Sequence, residues 1–257
     1  MRKQYERWLV LPDIHVPYHD TRTLAALEAY VVDVQKSRNP FVGWLQLGDF
    51  LDLDELGRWN KDYEASIKGN LAESFERGNT FLDHWRKLMG ENCKMVMLQG
   101  NHDYRTVDFG LKNPHLAQHA NFERNLRLEE RGIKYVKFWE TGEMYQIGNA
   151  YFAHSGGSIG INHAKAAVER FGVCLFYGHT HDVMEFPKVQ YGNDRTLVGK
   201  SLGCLCLYDQ SYLRGAPTKW QQSFTEMFCF KDEFFQENTI KIFKHRFVGL
   251  NGKVYQG

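Results

Sequence analysis

Residues 8–15 read Trp-Leu-Val-Leu-Pro-Asp-Ile-His, an apolar run that ends in an acid and a histidine two positions apart. The apolar residues 8–11 predict a buried strand. Asp13 and His15 follow at its end, and carboxylate and imidazole groups are metal ligands and acid–base groups. A single Asp-x-His pair occurs often by chance, so its meaning depends on whether the arrangement recurs along the chain.

The arrangement recurs four times, after the strand-like runs 42–47, 94–98, 150–153 and 173–177. The clusters that follow these runs are Gly48-Asp49-Phe50-Leu51-Asp52, Gly100-Asn101-His102-Asp103, His154-Ser155 and Gly178-His179-Thr180-His181. Five such clusters in succession predict one site assembled from the ends of several strands.

Helical patterns separate the first three strands. Apolar stripes with helical spacing run through residues 24–34 and 71–89, and Asp20 is placed to cap the first helix. Alternating strands and helices predict βαβ units and a parallel sheet, so we expect an α/β fold. Open α/β sheets bind ligands beyond the carboxyl ends of their strands, which is where the clusters lie.

The second half continues with a hairpin at Gly148-Asn149, a helix over residues 162–171 and strand-like segments from Leu202 onward. Because the chain has neither repeats nor a low-complexity linker, we expect a single domain over residues 1–257. Residues 54–90 and 104–132 are longer than a simple crossover needs, and we expect helical inserts there. They could form substrate walls, or they could be helices that pad the sheet.

The ligand types suit a dinuclear hydrolytic centre, which holds two cations about 3.5–4 Å apart. A carboxylate between the cations offsets part of their repulsion, and Asp49 is the natural bridge. One metal would be completed by Asp13, His15 and His181, and the other by Asn101, His154 and His179. Carboxylate, amide and imidazole ligands suit Mn, Fe or Zn, and we take two Mn²⁺ ions as the working choice.

The five clusters resemble the signature of the calcineurin-like metallophosphoesterases: D-x-H, G-D-x-x-D, G-N-H-D/E, H and G-H-x-H. They span residues 13–181, about two-thirds of the chain. The resemblance implies a two-sheet α/β/β/α sandwich of the metallophosphoesterase type, with the same division of ligands. It also implies that His102 is the catalytic histidine and that Asp52 pairs with it. The signature is specific for the superfamily but not for a substrate.

We therefore predict a metal-dependent phosphoesterase, most favourably a phosphodiesterase or nuclease acting on nucleic acid or nucleotides. Aromatic side chains near the clusters could stack on bases, and basic side chains could line a path for the phosphate backbone; Arg105 is the candidate for a phosphate contact. The other candidates are Trp59, Tyr63, Tyr104 and Phe109 for stacking, and Arg58, Lys61 and Lys112 for the path. Packing roles for the aromatic residues are the alternative.

A phosphomonoesterase is the alternative function, acting on phosphoproteins or small molecules. The Ser/Thr phosphatase branch usually has Arg after G-D-x-x-D, where this chain has Leu53, and Glu where this chain has Asp103. A non-catalytic binding module is least favoured, because every motif position is present. Residues 214–222 resemble a segment of some phage and prophage metallophosphoesterases, which favours a nucleic-acid setting.

The overall composition limits the kinds of partner and cellular location that the sequence predicts. The 32 basic and 31 acidic residues almost cancel, so net charge does not indicate a polyanionic partner. The five cysteines are odd in number and mostly lie in apolar runs; we expect buried thiols, among them Cys204 and Cys206, and a reducing, cytoplasmic location. Neither a leader nor an apolar run long enough to span a membrane is evident, so no membrane association is expected. No protein partner is indicated.

Overall fold

The structure is a computed structural model that describes residues 4–57, 70–189, 196–208 and 217–257. The helices are α1 (Thr21–Gln35), α2 (Leu71–Met89), α3 (Asn101–Lys112), α4 (Ala117–Ala120), α5 (Phe122–Asn125), α6 (Phe138–Thr141) and α7 (His163–Phe171). The strands are β1 (Tyr5–Leu11), β2 (Gly43–Gln46), β3 (Lys94–Leu98), β4 (Ile133–Val136), β5 (Tyr145–Ile147), β6 (Ala150–Ala153), β7 (Cys174–Tyr177), β8 (Val183–Val189), β9 (Thr196–Leu202), β10 (Ser223–Phe230), β11 (Phe235–Lys241), β12 (Arg246–Val248) and β13 (Val254–Gln256).

Two mixed sheets form the centre of the molecule. The first has the strand order β11-β10-β1-β2-β3-β4, with β1 to β4 parallel as predicted. The second has the order β5-β6-β7-β9-β8, in which β6, β7 and β9 are parallel. Leu11 lies opposite Gln46, and Gln46 opposite Met97, so the first three strands end level with one another. The loops that follow them therefore meet at one edge.

Alternation along the strands builds the layers. Trp8 and Val10 of β1 point between the sheets, where they share an apolar cluster with Phe152 and Phe176 of the second sheet. Leu9 and Leu11 point the other way, into the cluster that holds the buried faces of α1 and α2. On the outer face of the second sheet, α7 packs through Ala167. The order helix, sheet, sheet, helix confirms the predicted two-sheet α/β/β/α sandwich.

The predicted cap at the start of α1 is present, whereas Asn162 at the start of α7 makes no side-chain cap hydrogen bond. The Asp20 side chain accepts hydrogen bonds from the N–H groups of Arg22 and Thr23 and so begins α1. Gly90 follows the last residue of α2, and its φ of 83° suits glycine. The hairpin between β5 and β6 turns at Gly148-Asn149, as expected.

The predicted inserts contain helices where they are described. Residues 70–90 carry α2, and residues 104–132 carry the rest of α3 with α4 and α5. Arg58, Trp59, Lys61 and Tyr63, and residues 214–216, lie outside the described residues. The single-domain organisation and the role of the inserts as substrate walls stay predictions. None of the described helices combines the length and the apolar character needed to cross a membrane.

Candidate metal centre

The predicted ligands lie in loops with an unusual backbone. Five of them adopt a positive φ: Asp13 (32°), His15 (52°), Asp49 (50°), His179 (69°) and His181 (59°). Such conformations cost about 1–3 kcal/mol each in a non-glycine residue and cluster at functional sites, where the surrounding structure holds them. The strain turns the side chains that follow β1, β2 and β7 toward a common point.

Two motif glycines allow the loops to approach one another. A Cβ atom on Gly100 would lie 2.1 Å from the main-chain nitrogen of Asp49 and 2.2 Å from its Oδ1. A Cβ on Gly178 would lie 2.1 Å from Asp13 Oδ2. These glycines are therefore required because carboxylate ligands from neighbouring loops pack directly against their α-carbons.

The first ligand group consists of Asp13, His15, Asp49 and His181, whose ligand atoms all lie within 4.8 Å of one another. His15 Nε2 is 3.2 Å from His181 Nε2 and 3.6 Å from Asp49 Oδ2. His181 Nε2 is 3.4 Å from Asp13 Oδ1. Two imidazole nitrogens face each other at close range, an arrangement that needs a proton or a cation between them.

The second ligand group consists of Asp49, His154 and His179, again within 4.8 Å. His154 Nε2 is 3.3 Å from Asp49 Oδ2 and 3.0 Å from the side-chain oxygen of Asn101. Asp49 belongs to both groups, as a bridging ligand would. The structure thus brings all seven predicted ligands together.

The charge in these groups fits divalent cations. Asp13, Asp49 and Asp52 are at most 2% exposed, and in the described part of the chain their ion-pair partners are histidines rather than Lys or Arg. Burial lowers the pKa of His154, but the opposing effect of the Asp49 carboxylate is larger, so the pKa of His154 is raised to about 9. In the protein alone, a proton on an imidazole therefore supplies positive charge that a bound cation would otherwise provide. Carboxylate, imidazole and amide donors in this number suit Mn, Fe or Zn.

Outer contacts fix the orientation of the ligand rings. His154 Nδ1 lies 2.9 Å from the carbonyl oxygen of Leu47, and His15 Nδ1 lies 2.8 Å from Asp52 Oδ1. A hydrogen bond from Nδ1 leaves Nε2 of each ring to face the ligand group, which is how metal-binding histidines are usually held.

The predicted catalytic pair, His102 and Asp52, lies beside these groups, but its contact differs from the expected one. His102 Nδ1 is 2.7 Å from the main-chain oxygen of Asp52 and 3.4 Å from its carboxylate. The Asp52 carboxylate is closer to His15, at 2.8 Å. Asp52 therefore orients a predicted ligand through its side chain and orients His102 mainly through its main chain.

Arg105 also lies at the site, because α3 begins at Asn101 and presents it one turn after His102. Its guanidinium donates to the main-chain oxygens of Asp52 (2.8 Å) and Leu53 (3.2 Å), and Nη2 is 3.2 Å from His102 Nε2. Burial lowers the pKa of His102 to about 4, with an opposing contribution from Asp49. In the protein alone the ring is thus neutral at pH 7, with Nε2 as an acceptor for Arg105.

Asp103 is a positioning residue that sequence reasoning missed. Its buried carboxylate accepts hydrogen bonds from the N–H groups of Gly100 (2.8 Å), Phe50 (3.2 Å) and Leu51 (3.3 Å). It thereby ties the loop after β2 to the start of α3, so that Asp49 and Asn101 keep their relative positions. Its place as the last residue of the G-N-H-D motif was the available signal.

Two tryptophans flank the ligand histidines and were not predicted. The ring of Trp220 lies 4.3 Å from that of His181, centroid to centroid. The ring of Trp139 lies 5.8 Å from that of His154 and 5.6 Å from that of His179. Neither tryptophan belongs to a metal-binding motif, so spacing along the chain offers no signal for it.

Cys204 and Cys206 are buried, as expected, but Cys206 has a further contact. Its Sγ lies 3.9 Å from His181 Nδ1. It therefore packs against the outer side of a predicted ligand.

A pocket of about 320 Å³ opens onto the ligand groups. It is lined by His15, Asp49, Asp54, Gly57, Asn101, His102, Arg105, His179, His181 and Trp220. Tyr104, Phe109 and Lys112 are not among these lining residues, so the structure does not bring these sequence candidates into the pocket.

A second buried His–Asp network begins one residue after His181. Asp182 Oδ2 accepts from Lys219 Nζ (2.9 Å) and lies 3.1 Å from His163 Nε2, while Oδ1 accepts from Ser201 (3.2 Å). His163 Nδ1 is 2.6 Å from the Tyr177 hydroxyl. Every polar side chain in this network has a protein partner.

No model of a known protein family matches the chain. Two curated proteins are similar: the Gene 54 protein of Mycobacterium phage L5 is 24% identical over 266 residues, covering 98% of this chain and 99% of that protein. The Gene 54 protein of Mycobacterium phage D29 is 25% identical over 234 residues, covering 85% of this chain and 87% of that protein.

Two solved structures are also similar. Vacuolar Protein Sorting 29 from Cryptosporidium parvum has a TM-score of 0.43 and 14% identity, covering 93% of this chain and 99% of that one. Vps29 from Chaetomium thermophilum has a TM-score of 0.41 and 13% identity, covering 98% and 96%. At these scores they add nothing to the fold, which the layers establish directly. The chain is a two-sheet α/β/β/α sandwich whose strand ends gather His and Asp clusters that fit divalent cations.

Proposed function

We propose that the protein is a dinuclear metal-dependent phosphoesterase that hydrolyses phosphodiesters in nucleic acid or nucleotides. One observation carries the proposal: two ligand groups share Asp49, and His102 and Arg105 line the same pocket. A carboxylate shared by two adjacent metal ions offsets part of their mutual repulsion. The guanidinium of Arg105 can bind a phosphate oxygen, and the imidazole of His102 can transfer a proton to the leaving group.

We assign the residues to two cations in the division that the sequence predicts. Asp13, His15, Asp49 and His181 would hold one, and Asn101, His154 and His179, with Asp49 shared, would hold the other. Mn²⁺ is the working choice, with Fe or Zn as alternatives. When bound, two such cations lower the pKa of water and offset charge that develops on a phosphate.

The chain's own residues supply the proton for the leaving oxygen. His102 donates through Nδ1 to the Asp52 main-chain oxygen, which fixes the ring so that Nε2 faces the pocket with Arg105. A phosphate anion beside this ring favours its protonated form, because opposite charges stabilise each other. His102 then transfers the proton from Nε2 to the departing oxygen, and Arg105 contacts a phosphate oxygen.

The charge of the pocket favours a diester. Among its described lining residues outside the ligand groups, the charged side chains are Arg105 and Asp54. A diester carries one negative charge at neutral pH, whereas a monoester carries close to two and is better served by several cationic side chains. The singly charged ester is therefore the better match.

The nearly full-length similarity to two mycobacteriophage proteins supports a phage-type setting. Nucleic acid is then the first substrate to test, in single- and double-stranded form.

The test compares four substrates with the Mn²⁺-loaded protein: bis-p-nitrophenyl phosphate, p-nitrophenyl phosphate, and single- and double-stranded DNA. We expect diester hydrolysis that disappears with chelator and returns with Mn²⁺. Strong monoester hydrolysis without diester hydrolysis would instead identify a phosphomonoesterase. Bound metal without hydrolysis of any of the four would support a non-catalytic module.

A further inference from the structure

Among the described residues that line the pocket, Trp220 is an aromatic residue that the proposed metal binding and proton transfer do not use. Trp220 lines the pocket together with the ligand residues, and its ring meets that of His181 at an interplanar angle of 65°. The other aromatic rings among the described lining residues are the imidazoles of histidines. Trp220 therefore lies within reach of whatever group is attached to a phosphate held between the ligand groups and Arg105.

The fold holds Trp220 in place from both sides. On one side, Lys219 forms an ion pair with Asp182, the residue after His181. On the other, the main-chain N–H of Gln221 donates to the His181 carbonyl oxygen at 2.7 Å, and the Gln221 carbonyl accepts from the N–H of Cys204 at 3.0 Å. An indole fixed in this way loses little conformational freedom when a ligand stacks on it, which is what makes a stacking platform effective.

The position of the platform indicates which group it serves. Trp220 lies beside His181 of the first ligand group, whereas Arg105 and His102 lie on the side of Asp52. A phosphate bridging these sides directs one of its substituents toward the indole. A planar base can stack on an indole face over its whole ring, a contact that a simple alkyl substituent does not provide.

We propose that Trp220 is a specificity-determining residue that stacks on a nucleobase next to the scissile phosphate, so that the substrate is a nucleotidyl phosphodiester rather than an alkyl diester. This inference rests on the proposed phosphodiesterase function and narrows its substrate class.

The test uses two single-phosphate substrates that differ only in their bases: the dinucleotide TpT and its analogue with abasic tetrahydrofuran residues. The wild-type, Mn²⁺-loaded protein should hydrolyse TpT with a kcat/KM about 5- to 100-fold higher than the analogue. Trp220→Ala should remove this preference by lowering kcat/KM for TpT, while hydrolysis of the analogue stays within about threefold. Trp220→Phe, which keeps a smaller ring, should retain part of the preference.

Phe234→Ala is the matched control. Phe234 is 63% exposed and lies in the turn between β10 and β11, at the end of the first sheet away from the metal centre. Metal content, measured by elemental analysis, should be equal in wild type and all three variants. Equal hydrolysis of the two substrates by wild type, or an equal loss on both in Trp220→Ala with metal retained, would overturn the role of Trp220 and leave the phosphodiesterase proposal standing.

A binding measurement separates the two proposals if turnover fails. Calorimetry should show that thymidine 5′-monophosphate binds the metal-loaded wild type about 5- to 100-fold more tightly than deoxyribose 5-phosphate does, with the difference lost in Trp220→Ala. Base-dependent binding without hydrolysis of any diester would overturn the phosphodiesterase function but support the stacking role. Equal affinity for the two phosphates would overturn the stacking role.

Discussion

Two buried His–Asp clusters meet at consecutive residues of this chain, and they differ in how their charge is satisfied. His181 belongs to the first, in which the carboxylates of Asp13 and Asp49 face imidazoles. Asp182 belongs to the second, in which Lys219, His163 and Ser201 all contact one carboxylate. Buried Asp and His residues occur in both clusters. Among the described residues, the carboxylates of the first cluster pair with histidines, whereas the carboxylate of the second also pairs with a lysine.

The backbones differ in the same sense. The ligand loops hold Asp13, His15, Asp49, His179 and His181 at positive φ. His163 and Asp182 do not have positive φ, and both belong to a network that is complete without a cation. Residue type alone thus does not distinguish a metal centre from a structural polar network. Carboxylates without a Lys or Arg partner among the described residues, together with ligand loops at positive φ, do distinguish them.

The strongest test of this contrast removes the shared carboxylate. Asp49→Ala takes the shared carboxylate from both groups, which leaves Asp13 as the carboxylate of the first group and none in the second. We expect loss of bound metal and a fall in phosphodiester turnover to background, more than about 10⁴-fold below wild type. Elemental analysis and a chromogenic diester assay measure both effects.

Asp33→Ala serves as the control, because Asp33 pairs with Lys253 on the surface and outside the site. It should retain metal and turnover. Unchanged metal content in Asp49→Ala would show that the first cluster is not a metal centre.

His102→Ala tests the group beside the metals rather than a ligand. We expect turnover about 10²–10⁴-fold lower with the metal content of wild type, because proton transfer is lost while the ligand groups remain. His84→Ala is a matched histidine control, since His84 is paired with Glu28 away from the site. Metal loss in His102→Ala, or turnover close to wild type, would contradict the assigned role.

Asp182→Asn should show the opposite pattern, with metal retained and the fold weakened. The substitution keeps the size of the side chain but removes the charge that Lys219 and His163 contact. We expect the free energy of unfolding to fall by about 1–3 kcal/mol, measured by urea denaturation of the metal-free protein. Loss of metal with unchanged stability would instead assign Asp182 to the metal centre.

The effect of Asp182→Asn should also depend on pH. Burial raises the pKa of Asp182, but the hydrogen bonds from His163 and Lys219 have a larger, opposite effect. The pKa of Asp182 is therefore well below its ordinary value. A carboxylate with a depressed folded-state pKa stabilises the protein fully above its unfolded pKa of about 4, and this contribution is lost as pH falls through the lower folded value. The difference in the free energy of unfolding between wild type and Asp182→Asn should therefore be constant from about pH 5 to about pH 7, and it should become smaller below about pH 4.

The smallest effect is expected for Lys219→Ala. The Lys219 side chain is 50% exposed, so solvent screens its pair with Asp182 and its contribution should be about 0.2–1 kcal/mol. Raising NaCl from about 0.1 M to about 1 M should reduce the difference between variant and wild type. Lys94→Ala, which removes a comparably exposed lysine from its pair with Glu6, is the control and should give a similarly small change in urea denaturation. A loss as large as that of Asp182→Asn would show that Lys219 is needed for the network as a whole.

The strand ends and their ligands were predictable because both depend on short-range patterns. Apolar runs mark β1, β2 and β3, and a parallel sheet brings their ends to one edge whatever the connecting loops contain. Asp13, Asp49 and Asn101 therefore had to be neighbours once the strands were correct. The layer order was not read from these patterns; it was expected because the five motifs resemble the calcineurin-like metallophosphoesterase signature.

Contacts between distant segments were not predictable. The Asp52 carboxylate lies nearer to His15 (2.8 Å) than to His102 (3.4 Å), and the spacing of the motif does not encode which histidine it meets. Trp220 reaches His181 because the segment before β10 pairs with the loop after β7, a connection between residues about 40 positions apart.

The motif resemblance implied the sandwich, whereas the sequence pattern by itself determined the parallel strands of the first half and the identity of the residues at their ends. Those features arise from periodicity, capping and residue chemistry, which act over a few positions. Only the tertiary structure decided which acids form ion pairs with histidines, which acid also pairs with Lys219, and which aromatic ring lines the pocket. These depend on distances and charges between segments far apart in the chain, and such distances are set by packing rather than by local pattern.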